Sequence, residues 1–117
     1  GSPGMNFLPV EHAEGHLQLA EHRLPAPGAR TLPAGPLLVG VRPEYLARAE
    51  PGAAGALACQ VLRVQDLGTS LMLTAEVAGQ VLRARFDPDA RLPAPGETVW
   101  LQVLGEHTCF YQNEELL

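Results

Sequence analysis

SLMLTAEVAGQVLRARF, residues 70–86, holds the pattern that decides the fold. Leu71, Leu73, Ala75 and Val77 alternate with Met72, Thr74 and Glu76, giving a strand with one apolar face and one mixed face. Beyond Ala78-Gly79 the alternation resumes, with Leu82, Ala84 and Phe86 on one side and Arg83 and Arg85 on the other. Two such runs joined by a two-residue tip that ends in glycine read as a β-hairpin. Strands are expected at Ser70–Val77 and Gln80–Phe86.

The same rhythm runs along the chain, because Pro or Gly recurs roughly every eight to twelve residues, the spacing of an all-β sandwich or barrel. Further strands are expected at Asn6–Ala13, His16–Ala20, Leu37–Arg42, Ala56–Gln65, Thr98–Leu104 and His107–Tyr111. Within Leu57–Val64 the phase slips: Leu57, Cys59 and Val61 alternate, then Leu62 and Val64 take over. One residue out of step predicts a β-bulge, the device by which short strands bend around a small barrel. LPAPG at Leu24–Gly28 and Leu92–Gly96, and LPAG at Leu32–Gly35, place a fixed φ before a permitted reversal, as turns that lead into strands do. Residues 87–97, DPDARLPAPGE, read as a proline-rich loop that packs little.

At 117 residues the chain is one small domain, and 46% apolar residues suffice for a core. No stretch is apolar for long enough to span a bilayer, so a soluble chain is expected. The net charge of −5, without a single lysine, argues against binding a polyanion such as nucleic acid through bulk electrostatics. Cys59 and Cys109 lie far apart with no CxxC neighbour, which fits a reducing compartment and leaves one bridge open.

Catalytic and metal chemistry find little to work with. His12, His16, His22 and His107 have no ligand spacing on a credible scaffold and read as scattered surface residues. No hydroxyl sits in a nucleophile elbow, and without lysine no GxxxxGK[ST] phosphate loop can exist. DLGTS, Asp66–Ser70, has two readings. It is a turn held by side-chain-to-backbone bonds, which needs no ligand, or a loop in which Asp66, Gly68 and Thr69 hold a small oxyanion or carbohydrate beside Arg63, Arg83 or Arg85. Arg83 and Arg85 share a face that is either solvated or a protein interface.

VGVRPEYL, residues 39–46, reads as a corner. The residue before a proline favours an extended conformation, so Arg42 ends a strand. Pro43 fits the first position of a short helical turn and Glu44 its electropositive start, with Tyr45 and Leu46 packing back. Arg42 or Glu44 is expected to pair with the other segment of the domain.

GSPGMNFLPVE, LLVGVRPEYL, VLRVQDLGTSLML, LPAPGETVWLQV and HTCFYQNEELL occur in that order over nearly the whole chain. Together they resemble the C-terminal regulatory domain of the ATP-binding subunits of bacterial ABC importers for sugars and glycerol 3-phosphate, where GSPxMNFL, GxRPEHL and ExLG motifs recur. Arg42, Pro43 and Glu44 match that family's motif; Tyr45 stands where it usually has His, and Tyr111–Glu114 depart from its closing Asp and Gly. The resemblance implies an all-β TOBE domain, a small OB-type barrel with one short helical turn near Pro43–Leu46. It spans 1–117, with a possible division into 1–50 and 51–117 in which the last strand returns to the first part.

The implied function is non-catalytic: regulation and dimerisation of the ATP-binding subunit, with a lean towards the glycerol 3-phosphate type. The partners implied are a second copy, the subunit's own ATPase domain, transmembrane permease subunits and a regulatory protein. No cofactor is implied for the domain itself, ATP and Mg belonging to the ATPase domain, and the place is the cytoplasmic face of the inner membrane. The chain would then be a fragment of a longer subunit, whether Gly1-Ser2 is native or a cloning scar. A small-ligand sensor of oxyanions or metabolites is the alternative.

Overall fold

The computed structural model describes residues 4–117; Gly1, Ser2 and Pro3, which begin the GSPGMNFL segment, lie outside the described residues. The chain runs β1 (Asn6–Ala13), β2 (His16–Leu19), β3 (His22–Pro25), β4 (Gly35–Val41), a 3-10 turn (Pro43–Tyr45), β5 (Ala47–Arg48), β6 (Ala56–Asp66), β7 (Leu71–Val77), β8 (Gln80–Phe86), β9 (Thr98–Gln102), β10 (Cys109–Gln112) and β11 (Glu115–Leu116). The fold is all-β, as the alternation requires. β11-β10-β4-β1-β2-β3 form one antiparallel sheet and β5-β9-β6-β7-β8 the other.

The hairpin of the opening segment forms in the expected register, closing on the pair Val77 and Gln80. Ala78 and Gly79 both take positive φ, 50° and 75°, the conformation whose twist matches that of paired strands. Alternation sorts the side chains: Leu73, Ala75, Leu82 and Ala84 are buried, whereas Glu76, Arg83 and Arg85 are exposed. The phase slip is a bulge, because Val61 faces Ala75 and Arg63 faces Thr74, leaving Leu62 without a partner. Val64 returns to the core, but Leu62 turns towards solvent and is 43% exposed. The bulge sets two consecutive residues, Leu62 and Arg63, against Thr74, and both are exposed.

Three strands escape sequence reading: β3, β5 and β11. Their two to four residues carry too little alternation to register. The 87–97 loop packs more than expected, with Leu92 set against the core. Leu8, Leu17 and Val39 of the first sheet join Leu57, Leu82 and Leu101 of the second in one continuous cluster.

β1 and β4 run side by side along most of their length and leave the sheet together at Asn6 and Val41. There Asn6 occupies a core-facing position and is itself buried. Its Nδ2 donates to the Val41 carbonyl (3.1 Å) and the Arg83 carbonyl (2.8 Å), while the Arg83 N–H donates to its Oδ1 (2.8 Å). One amide thus joins the end of the first sheet to the free edge of β8. Its neighbours Met5 and Phe7 point the other way and roof Gly40 together with Tyr111. A Cβ there would lie 2.9 Å from Met5 Sδ and from Tyr111 Cε2, so a larger residue would force those side chains to shift.

Ala at φ near 50° is strained in a way that Asn is not. Replacing Ala78 by Asn should therefore raise stability by about 0.5–1 kcal/mol, read as a higher urea midpoint with an unchanged m-value.

Candidate functional site: the sheet junction and an arginine face

The corner between the sheets is built by the backbone. Arg42 is extended (φ −74°, ψ 151°) and Pro43 opens the 3-10 turn. The Tyr45 N–H donates to the Arg42 carbonyl (3.0 Å) and the Leu46 N–H to that of Pro43 (3.3 Å). Pro43 and Leu46 are buried, and the turn packs against β8. Arg42 and Glu44 are both exposed, and among the described residues neither forms the ion pair expected of it. The corner is held by apolar burial and main-chain bonds, and charges left in water gain little by pairing. Tyr45, 43% exposed, stacks instead on His107 at a centroid distance of 3.8 Å with planes 11° apart.

Beside the junction lies a cleft of about 420 Å³, lined chiefly by Pro27, Arg30, Gly55, Leu104, Thr108 and Phe110. Its main cation is already engaged: the Arg30 guanidinium lies 5.2 Å from the centre of the Phe110 ring and donates to the Leu117 carbonyl at 2.6 Å. Thr108 Oγ1 is likewise satisfied, accepting from the Gly105 N–H and donating to the Val103 carbonyl. What remains free in the cleft is mostly apolar wall.

The residues expected around DLGTS separate into two groups. Asp66 ends β6, and Gly68 and Thr69 lie in the turn that follows, where Asp66 Oδ1 accepts the Gly68 N–H at 2.8 Å and the Leu67 N–H donates to the Ser70 carbonyl. That carboxylate holds the turn, with Gly68 at φ 88°. Arg63, Arg83 and Arg85 instead gather on the outer face of the second sheet. Arg63 and Arg83 flank Thr74 across β6, β7 and β8, and Arg85 stands opposite Met72 in the adjoining row. None of the three has a carboxylate partner among the described residues. Thr74, buried between them, was not singled out by sequence; its hydroxyl finds no hydrogen-bond partner. A polar residue in an outward phase gives no sign that neighbours will cover it.

No group of three or more His, Cys, Asp or Glu side chains among the described residues could hold a metal. His12 Nδ1 lies 2.8 Å from the Pro33 carbonyl, and His16 Nδ1 lies 3.3 Å from Arg23. Cys59 and Cys109 are both free thiols. Burial pushes the Cys59 thiol up to about 12, so it is no nucleophile near neutrality.

Two family models match the chain: the TOBE domain over residues 39–110 and the MalK OB fold domain over residues 1–46. A provisionally named ATP-binding protein of Brucella suis is 32% identical over 114 residues, 97% of this chain and 32% of that protein. An uncharacterized ABC transporter ATP-binding protein of Sinorhizobium fredii is 34% identical over 110 residues, 86% of this chain and 27% of that one. An sn-glycerol-3-phosphate import ATP-binding protein of Ruegeria pomeroyi is 36% identical over 83 residues, 68% of this chain and 21% of that one. The chain spans about a third of the length of the Brucella relatives that it matches.

The thiols give a direct check of the packing. At pH 8 a thiol reagent should label Cys109 alone in the native protein and both cysteines after unfolding. The neutral Cys59 thiol contributes stability in full below the ordinary value of 9.0, and that contribution falls as pH rises towards 12. A Cys59→Ala variant should lose this part of the alkaline slope.

Proposed function

This chain belongs to the TOBE domain family, and from that premise we propose that it is the regulatory and dimerisation domain of the ATP-binding subunit of an ABC importer. The observation that carries the reading is that the two matched regions meet across the Val39–Leu46 corner and together run from residue 1 to 110. The transported solute proposed is glycerol 3-phosphate or a sugar. The names of relatives from Ruegeria pomeroyi and Vibrio vulnificus support the first.

The domain carries no catalysis in this reading; ATP and Mg act in the subunit's ATPase domain. Its work is mechanical. Two sheets sharing one core make a stiff body, and such a body offers an interface whose energy stays constant while the ATPase halves open and close. Held together at these domains, the halves separate without dissociating, because the tether keeps their effective concentration high. The partners are a second copy of the subunit, its own ATPase domain, the transmembrane permease subunits and a regulatory protein, but not nucleic acid. The proposed location is the cytoplasmic face of the inner membrane, reached through that complex.

The test is sedimentation of the complete ATP-binding subunit, nucleotide-free, with and without this domain. A dimer that persists with the domain and dissociates without it is expected. An identical monomer–dimer equilibrium in the two forms would contradict the dimerisation role.

A further inference from the structure

An antiparallel sheet with one face on the core ordinarily turns polar side chains outward on the other. The first sheet does not. Pro9, Leu38, Tyr111 and Leu116 stand in register across β1, β4, β10 and β11, on the side away from the core. Four strands make that row about 14 Å long. Phe7 lies in the next row and meets Tyr111 edge-on, with ring centroids 5.8 Å apart. Leu38, Phe7 and Tyr111 are half-buried and Leu116 is 64% exposed. Glu11, opposite Pro36, is the one charged side chain on this face of the four strands. An apolar stripe left on the outside of a sheet marks a contact surface.

The stripe borders a groove of about 490 Å³ lined by Phe7, Leu38, Tyr111 and Glu114. Beside it, a hollow of about 280 Å³ follows Pro36, Leu38, Tyr111 and Glu114. Glu114 sits in the two-residue turn between β10 and β11 and holds φ at 68°. Glycine is favoured there, so the turn itself has no use for a carboxylate at that position. No arginine lines either hollow, and neither Glu114 nor Glu11 has an ion-pair partner among the described residues. Arg23, on the same face, is two strands beyond Glu11 and lies beside His16.

We infer that this groove docks an arginine-bearing apolar segment of a partner protein. The guanidinium lies on the Tyr111 ring and pairs with Glu114, its methylene stem covers Leu38, and apolar neighbours cover Pro9 and Leu116. A neutral segment would leave Glu114 desolvated and unpaired, and an acidic one would meet its charge. A small molecule stays largely uncovered on so open a row, whereas four or five extended residues span it. A second copy fits poorly. Its Arg63, Arg83 and Arg85 lie on the outer face of the other sheet, and unlike faces that dock build open chains of copies. This surface is independent of the dimerisation role proposed above, and either can fail alone.

The experiment titrates the 117-residue chain, followed by amide NMR, with an acetylated and amidated pentapeptide that carries arginine between leucines. Its citrulline and glutamate counterparts serve as comparisons. Saturable one-to-one shifts centred on Phe7, Leu38, Tyr111 and Leu116 are expected with the arginine peptide. The citrulline peptide, equal in shape but uncharged, should bind about fivefold or more weakly, and the glutamate peptide more weakly still.

E114Q should erase the difference between arginine and citrulline, weakening the first and leaving the second unchanged. A merely structural glutamate would move both. L116S should weaken both peptides, and R85Q, on the other sheet, neither; all three side chains are exposed, so the fold is kept. Absence of saturation, equal affinity for the arginine and citrulline peptides, or shifts centred on the Arg30 cleft would overturn the assignment. Self-association in sedimentation that E114Q abolishes would give the groove to a second copy, and would overturn it as well.

Discussion

One buried side-chain amide sets how the two sheets meet. β8 ends its sheet, so the N–H and C=O groups of Arg83 that face away from β7 have no strand to pair with. Asn6 supplies both bonds and reaches the Val41 carbonyl as well, acting as a single rung between sheets that otherwise meet through apolar contact. Apolar burial is non-directional and tolerates sliding, whereas three hydrogen bonds at fixed distances do not. The corner at Arg42–Leu46 and the roof over Gly40 both lie within a few residues of this rung. The two recognisable segments, MNFL and GVRPEYL, are therefore one structural unit seen from two places in the chain.

That unit explains why the triplet Arg42-Pro43-Glu44 resembles a site in sequence and behaves as architecture in space. Pro43 is needed for its φ and its buried ring, and Gly40 for its missing Cβ. The two charged members reach solvent without partners. Exposed charges flanking a constrained backbone serve equally well to contact another protein surface, which agrees with a domain whose proposed work is assembly.

Much of the fold was legible because burial on one face leaves a period of two wherever a strand is long enough. β1 and β8 took the bounds expected of them, and the slip after Val61 announced the bulge. Short edge strands were not legible: Ala47–Arg48 and Glu115–Leu116 are fixed by their neighbours rather than by any pattern of their own. Asn6 left a faint mark, a polar residue in phase with Leu8 and Val10, and that misfit is the trace of the junction. The arginine face was half legible. Alternation put Arg83 beside Arg85, but the arrival of Arg63 across the sheet depends on a pairing register, and the isolation of the Thr74 hydroxyl depends on packing.

The most direct test of the junction is equilibrium urea unfolding of Asn6→Ala. It removes three hydrogen bonds, two to part-buried main-chain groups of Arg83 and one to the buried Val41 carbonyl. A loss of about 2–3 kcal/mol is predicted. A loss below about 0.5 kcal/mol, the range of an ordinary surface substitution, would contradict the claim that this amide fixes how the sheets are joined.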